Sequence, residues 1–294
     1  MKLNLICSQK NSGGAGIPRN IGMKISRAEY ITFVDSDDAI TPTALEELYT
    51  LAKKFDADVV ACEKYFELHG KNITPYSYIT GDLVQKPTLL TKNFFDRVAS
   101  LNRKEFIFSL CMKLIRKKFL IEENLDMINI AGEDALFTWC MVCAAEKYLL
   151  IPNITYIYRI HDESSSHGSD NLNVEKRVKK WFRSITEGFK YLDNFLLTKD
   201  FFCVNSEARY FVLDALIKEF TSYFIPLYAQ IPAPLLDGLI RRELEKINDQ
   251  KALTAFLFAR MNIFNLQLNR QNQIIHQQYA QIQQLQAQLK ALKS

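Results

Sequence analysis

"YITFVDSDDAITP", residues 30 to 42, sets a short apolar run directly against three carboxylates, Asp35, Asp37 and Asp38. The run is β-branched and aromatic, as strands are, and its lack of alternation predicts burial on both faces. Acids crowded at a strand end repel one another, which raises the pKa of at least one unless a cation compensates. A hard divalent cation, Mg²⁺ or Mn²⁺, is the simplest compensation, because it takes oxygen ligands and bridges to phosphate. On extended chain the spacing of Asp35 and Asp37 puts both side chains on one side. In parallel α/β sheets ligands gather beyond the carboxyl ends of the strands, where this cluster lies. The plain alternative is a polar turn in which Asp38 or Thr41 caps the next helix. Taken alone, Asp-x-Asp is weak evidence for a metal.

The surroundings read as alternating strands and helices. "KLNLICS", residues 2 to 8, is of strand type, and the Gly-rich turn "NSGGAGIPRN" follows it. Ile17, Ile21, Ile25 and Ala28 then fall at helical spacing. After the acidic cluster, Thr41 as N-cap and Pro42 at the first helical position predict a helix start in "TPTALEELYTLAKKF". "ADVVACEKYFEL" reads as the next strand. This rhythm predicts an α/β sheet with parallel pairing. Residues 71 to 87 read as a loop or hairpin insert. "LTKNFFDRVASL" and "AGEDALFTWCMVCAAEKY" look helical, and "KYLLIPNITYIYRIH" reads as two short strands around Pro152 and Asn153. Past the loop "DESSSHGSDN", residues 174 to 259 show long helical periodicity.

Bulk properties narrow the class. With 48% hydrophobic and 24% charged residues the chain is expected to pack a globular core. A net charge of +4 is modest for 294 residues, and aromatic-basic motifs of the RNA-binding type are missing, so nucleic acid is not an expected partner. Cys140 and Cys143 have a CxxC spacing, but they sit in a helix of buried type with no second pair, which argues against zinc. Scattered thiols and the lack of a signal peptide point to the cytoplasm. No apolar run is long enough to span a membrane. Basic groups at "RKK" (116–118), "EKRVKKWFRS" and "LIRREL" leave open a peripheral contact with anionic lipid at the inner face of the membrane, against the plainer reading of solvated helix faces.

The end of the chain has its own pattern. Met261, Leu268, Ile275, Ile282 and Leu289 recur at seven-residue steps. Phe264, Leu285 and Leu292 form a second series, interrupted by Gln271 and Gln278. Such a seam predicts a coiled coil that makes the chain a homo-oligomer, the alternative being one amphipathic helix docked on the body.

The run "GGAGIPRNIGMKISRAEYITFVDSDDAITPTALEELY" closely resembles the region around the acidic motif of family 2 glycosyltransferases with the GT-A fold. "LCMKLIRKKFL", "GEDALFTW" and "YIYRIHDESSSH" resemble later motifs of that family in the same order. The resemblance covers residues 1–167, expected to form a GT-A-like (Rossmann-like) mixed sheet; residues 168–260 are expected to be a helical region and 261–294 the coiled-coil tail. It implies inverting, metal-dependent transfer of a sugar from a nucleotide-sugar, a UDP-sugar first of all, to a hydroxyl of a glycan or glycolipid acceptor. By resemblance Asp37 is the direct metal ligand, Asp35 reaches the nucleotide ribose or the metal through water, and Asp38 supports them or caps the helix. Asp134 is the general base, with Glu133 beside it; the alternative is that both acids merely cap a helix. His161 matches a position that completes the metal's coordination or contacts the diphosphate, while a structural histidine is the alternative. Arg19 and Asn20 open onto the donor side, Arg19 either contacting phosphate or stabilising the turn. Lys113 approaches donor or acceptor, or belongs to a basic helix surface.

One departure from the family pattern stands out. Members begin with a strand, a helix and a second strand ending in an acidic turn that recognises the base, whereas Met1 here stands at what reads as the third strand. The chain is therefore read as truncated at its N-terminus, either a fragment or a decayed remnant in preference to one completed by another chain. A sheet without those strands exposes edges and is expected to fold poorly or associate. Two rival functions remain open at this level: a relic acting only as an oligomerising module, and another metal-dependent nucleotide-using transferase, such as a nucleotidyltransferase.

Overall fold

The computed structural model describes residues 12–79, 81–102, 106–160, 174–222 and 233–291. The expected strand at residues 2–8, His161 and the Ser-rich loop after it lie outside the described residues.

Helix α1 (Gly16–Ile25) leads into β1 (Tyr30–Ile31), which is shorter than the apolar run suggests. Tyr30 and Ile31 are buried, but Val34 is 46% exposed. The expected burial on both faces thus ends at Ile31, because β1 pairs along one side only among the described residues, antiparallel to β7 (Lys113–Arg116). β3 (Val59–Cys62) lies on the far side of β7, also antiparallel to it, and pairs parallel with β8 (Tyr148–Ile151). β6 (Thr88–Leu89) closes this five-stranded sheet in the order β1-β7-β3-β8-β6. The consecutive parallel pairing expected from the strand–helix rhythm is therefore replaced by a mixed sheet, with β7 inserted from later in the chain.

A second sheet has the order β2-β9-β4-β5, built from β2 (Ala39–Ile40), β9 (Tyr156–Ile160), β4 (Tyr65–His69) and β5 (Asn72–Tyr76). The segment read as one strand, "ADVVACEKYFEL", is split between β3 and β4, and the insert after it is a β4–β5 hairpin. Three times the chain passes from the first sheet to the second: β1 to β2, β3 to β4, and β8 to β9. The acidic turn lies on the first of these crossings.

Helix α2 (Ala44–Phe55) begins later than predicted, with Thr43 rather than Thr41 at its N-cap. The Thr41 N–H donates to Thr155 O at 3.0 Å, which prolongs the extended run past β2 and holds Pro42 outside the helix. Helices α3 (Phe94–Asn102) and α4 (Lys117–Glu122) follow, then α5 (Glu133–Ala144). Every residue of α5 from Ala135 to Cys143 is buried, as expected of a helix that is apolar all round. Burial pushes the thiol of Cys143 up to about 12, the reverse of what a thiolate ligand needs.

The remaining helices are α6 (Val174–Leu196), α7 (Asp200–Val204), α8 (Ser206–Ser222), α9 (Ala233–Leu244) and α10 (Gln250–Ala291). One buried cluster joins Leu136 and Trp139 of α5 to Phe189 of α6, Phe220 of α8 and Phe256 of α10. A second cluster, with Leu48, Val60 and Leu149, fills the α2 side of the first sheet. Ala252, Ala255, Phe256, Ala259 and Ile263 dock α10 on the body. The heptad residues occupy a different face and are wet: Leu268 is 44%, Ile275 58% and Ile282 51% exposed.

The buried Arg97 ties α3 to the end of α5. Its guanidinium donates to the carbonyls of Thr91, Val142, Ala145 and Glu146, so a positive charge meets the negative end of the α5 dipole. Burial pulls its pKa below the ordinary value. Arg97→Met leaves these carbonyls unpaired in the core and is expected to cost about 3 kcal/mol or more of stability, read from urea unfolding.

Candidate active site

The acidic turn answers its own repulsion residue by residue. Asp38 N donates to Asp35 O at 3.1 Å, folding the turn tightly. The Asp38 carboxylate accepts the Tyr156 hydroxyl at 2.6 Å and the Arg159 N–H at 2.8 Å, both from β9. Burial nevertheless raises its pKa, with Asp37 and Asp35 adding to the effect. Tyr156 also receives the Asp35 N–H at 3.3 Å. Asp38 thus anchors the turn to the second sheet. Asp35 and Asp37 stay exposed at its tip.

The second pair of acids opens α5. Gly132, at φ 79°, is the N-cap, a left-handed conformation that favours glycine. Glu133 and Asp134 occupy the first helical turn. Asp134 Oδ1 accepts the Ala135 N–H at 2.8 Å. A carboxylate at a helix start is expected to stay readily ionised. Here burial prevails: the pKa values of both Asp134 and Glu133 are raised, chiefly by desolvation, and at Glu133 the neighbouring Asp134 adds to it.

Arg19 joins the two motifs. Its Nη2 lies 2.9 Å from Asp35 Oδ1 and its Nη1 3.2 Å from Glu133 Oε1. The guanidinium also stands 5.9 Å from the Phe33 ring centroid. Burial opposes its charge, but Asp35 outweighs that and leaves the pKa raised. Of the two readings of Arg19, a phosphate contact or a stabiliser of the turn, the described geometry shows an ion bridge between acid clusters. Nothing local in the chain marks the Glu133 half of this bridge, nor Tyr156, which looks like any strand aromatic.

Two expected donor-binding residues are engaged elsewhere. The Asn20 amide donates to Met127 O at 2.8 Å and accepts the Met127 N–H at 2.9 Å, pairing like a strand with the segment before α5. Lys113 is not on a basic surface. It is fully buried on β7, and its Nζ donates to the carbonyls of Ile107 and Ser109 at 2.5 and 2.6 Å. Burial drives its pKa down to about 7, against the opposing pull of Asp134. Among the basic groups beyond it, Arg116 pairs with Asp56 and Lys179 with Glu175.

The donor set at the turn suits a hard cation. Exposed carboxylates at a strand end are oxygen ligands, and Mg²⁺ is usually held by one or two carboxylates together with substrate phosphates and water. Among the described residues no three acids, histidines or cysteines group closely enough to cage a metal by themselves. His161 lies outside the described residues.

Arg19 thus brings the acidic turn and the start of α5 together beside the mixed sheet. Residues 2–123 match the family described as Glycosyl transferase family 2. Poly(ribitol-phosphate) beta-N-acetylglucosaminyltransferase TarP of Staphylococcus aureus is 30% identical over 187 residues, covering 62% of this chain and 52% of TarP. Glycosyltransferase GlyG of Streptococcus pneumoniae is 29% identical over 187 residues, covering 63% of this chain and 59% of GlyG. The chain thus spans little more than half the length of these curated relatives. A crystal structure of S. aureus TarS 1–349 with UDP-GlcNAc superposes with TM-score 0.48 at 18% identity, covering 87% of this chain and 71% of that one.

Lys113 gives the fold a pH signature. Its ammonium has an ordinary value of 10.5 and a folded value of about 7. Between these, the unfolded chain holds a proton that the folded chain lacks, so this residue's contribution to stability rises with pH across the interval. Urea midpoints measured at pH 7 and pH 9 are expected to differ in that direction, and Lys113→Met is expected to remove this part of the difference.

Proposed function

We propose that this chain transfers a sugar from a nucleoside diphosphate donor, a UDP-sugar, to a hydroxyl of a polymeric glycan, glycolipid or polyol-phosphate acceptor, with inversion. The observation that carries the reading is the Arg19 bridge, which ties Asp35 of the acidic turn to Glu133 at the start of α5. The names of relatives such as TarP support the donor and acceptor classes.

In this reading Asp134 accepts the proton of the acceptor hydroxyl. The freed oxygen attacks the anomeric carbon, the bond to the diphosphate breaks, and the nucleoside diphosphate leaves with the electron pair. Asp37 and Asp35 would hold a Mg²⁺ or Mn²⁺, which would supply charge to offset the diphosphate, and His161, by family resemblance, is a further candidate ligand. Asp38 and Tyr156 fix the turn that presents Asp37. Arg19 keeps Asp35 and Glu133 apart from each other's charge and orients both.

The heptad face of α10 is assigned to self-association. Its apolar residues are exposed at coiled-coil spacing, which supports a second copy as partner. The chain has no described helix long and apolar enough to cross a membrane.

The following measurements test this. Asp134→Asn is expected to lower turnover by about 10²–10⁴-fold while nucleotide affinity holds. Because the raised Asp134 must be ionised to act, the acid limb of kcat/KM is expected above the ordinary carboxylate range, with activity falling as pH drops through it. Asp37→Ala is expected to abolish Mn²⁺-dependent UDP binding by calorimetry. Transfer of the nucleotide instead of its release as diphosphate would overturn the reading. In sedimentation, Ile275→Asp with Ile282→Asp is expected to convert an oligomer to monomer.

A further inference from the structure

The segment that leads into Glu133 and Asp134 is gripped by the helical region. Tyr191 of α6 donates its hydroxyl to Asp126 O at 2.6 Å and receives the Asp126 N–H at 3.3 Å. Ser184, about two turns earlier on the same helix and buried, accepts the Ala131 N–H at 3.1 Å. Phe220, near the end of α8, completes the grip. Its ring is buried and edges between two glycines from different elements. A Cβ on Gly132 would stand 2.8 Å from Phe220 Cε1, and one on Gly188 of α6 would stand 2.7 Å from Phe220 Cε2 and 3.4 Å from Ile130 Cδ1. Carbon atoms do not approach so closely without displacement, so the slot exists only because neither position carries a side chain.

Gly188 has no other evident reason to be glycine. It sits inside α6, where alanine is the better helix former. Its backbone does not appear among the positive-φ glycines, which include Gly132. Its use is to let the Phe220 ring reach the N-cap of α5.

We propose that the helical region positions the catalytic carboxylate: Phe220, seated between Gly132 and Gly188, together with Ser184, fixes the N-terminus of α5 and hence Asp134 relative to the acidic turn. Phe220 and Ser184 are positioning residues, acting through Gly132 and Ala131. This rests on the reading of Asp134 as the base. The turn has its own hold on the second sheet, through Tyr156 and the Arg159 N–H, so a disturbance at Phe220 should spare donor binding and tell on the chemical step.

The test uses the full chain. Gly188→Ala adds a methyl group that drives Phe220 toward Gly132. It is expected to keep Mn²⁺-dependent UDP affinity within about 2-fold and to lower kcat by about 10- to 100-fold, as small misplacements of a catalytic group do. Amide exchange over residues 131–136 is expected to quicken in the same variant. Adding Phe220→Leu, which vacates the ring edge, is expected to restore part of the lost kcat; a merely structural defect would deepen instead. Should Gly188→Ala not fold, Ser184→Ala carries the same readouts. A folded Gly188→Ala protein with wild-type kcat and wild-type exchange overturns the proposal. If Asp134→Asn retains full turnover, the base reading fails separately, and the exchange measurement still decides whether Phe220 holds α5.

Discussion

A single guanidinium, that of Arg19, stands between two groups of acids that the chain brings together from distant positions. The turn supplies Asp35, Asp37 and Asp38, and α5 supplies Glu133 and Asp134. Like charges at such range would force protons onto some of them or push the elements apart. Arg suits the place because its planar fork serves two carboxylates at once and does not deprotonate. Asp38 is compensated in another way, by the Tyr156 hydroxyl and the Arg159 N–H. The result is selective: Asp38 is anchored to β9 and Glu133 to Arg19, while Asp35 and Asp37 stand exposed at the tip of the turn.

The same arrangement explains the state of Asp134. A helix start favours a carboxylate, while burial disfavours it, and burial is the larger effect here. A base that is too well stabilised as an anion is a poor proton acceptor, so a raised pKa serves the role assigned to it. The cost falls on the fold, which carries an acid, a lysine and an arginine in or near its core. Such sites exchange stability for chemistry.

Much of the architecture could be read from the chain. The apolar runs marked most strands, and the change in texture near residue 174 marked the helices. The acidic turn and the Glu133–Asp134 pair were visible because their residue types and surroundings resemble a known family. What was hidden depended on long-range pairing. Thr41 looked like a cap because nothing local reveals that its N–H joins Thr155. The parallel sheet was expected from the order of elements, but β7 slips between β1 and β3 from far along the chain. Lys113 and Asn20 were placed at the donor by motif, whereas their partners, the Ile107 and Ser109 carbonyls and the Met127 backbone, belong to segments with no distinctive sequence. Phe220 gave no signal at all; its meaning lies in two glycines it meets only after folding.

The β4–β5 hairpin has a bearing on how this protein can vary. β5 is exposed along its whole length and forms the outer border of the second sheet, while β4 alone keeps register with β9. Pro75 sits within that border strand and has no N–H to offer, which discourages an added strand from another molecule. The hairpin can therefore lengthen, shorten or change its side chains without loosening the β9 contacts that steady the acidic turn. It is a free margin on a fixed frame, where new surface chemistry can be tried while the cleft stays as it is.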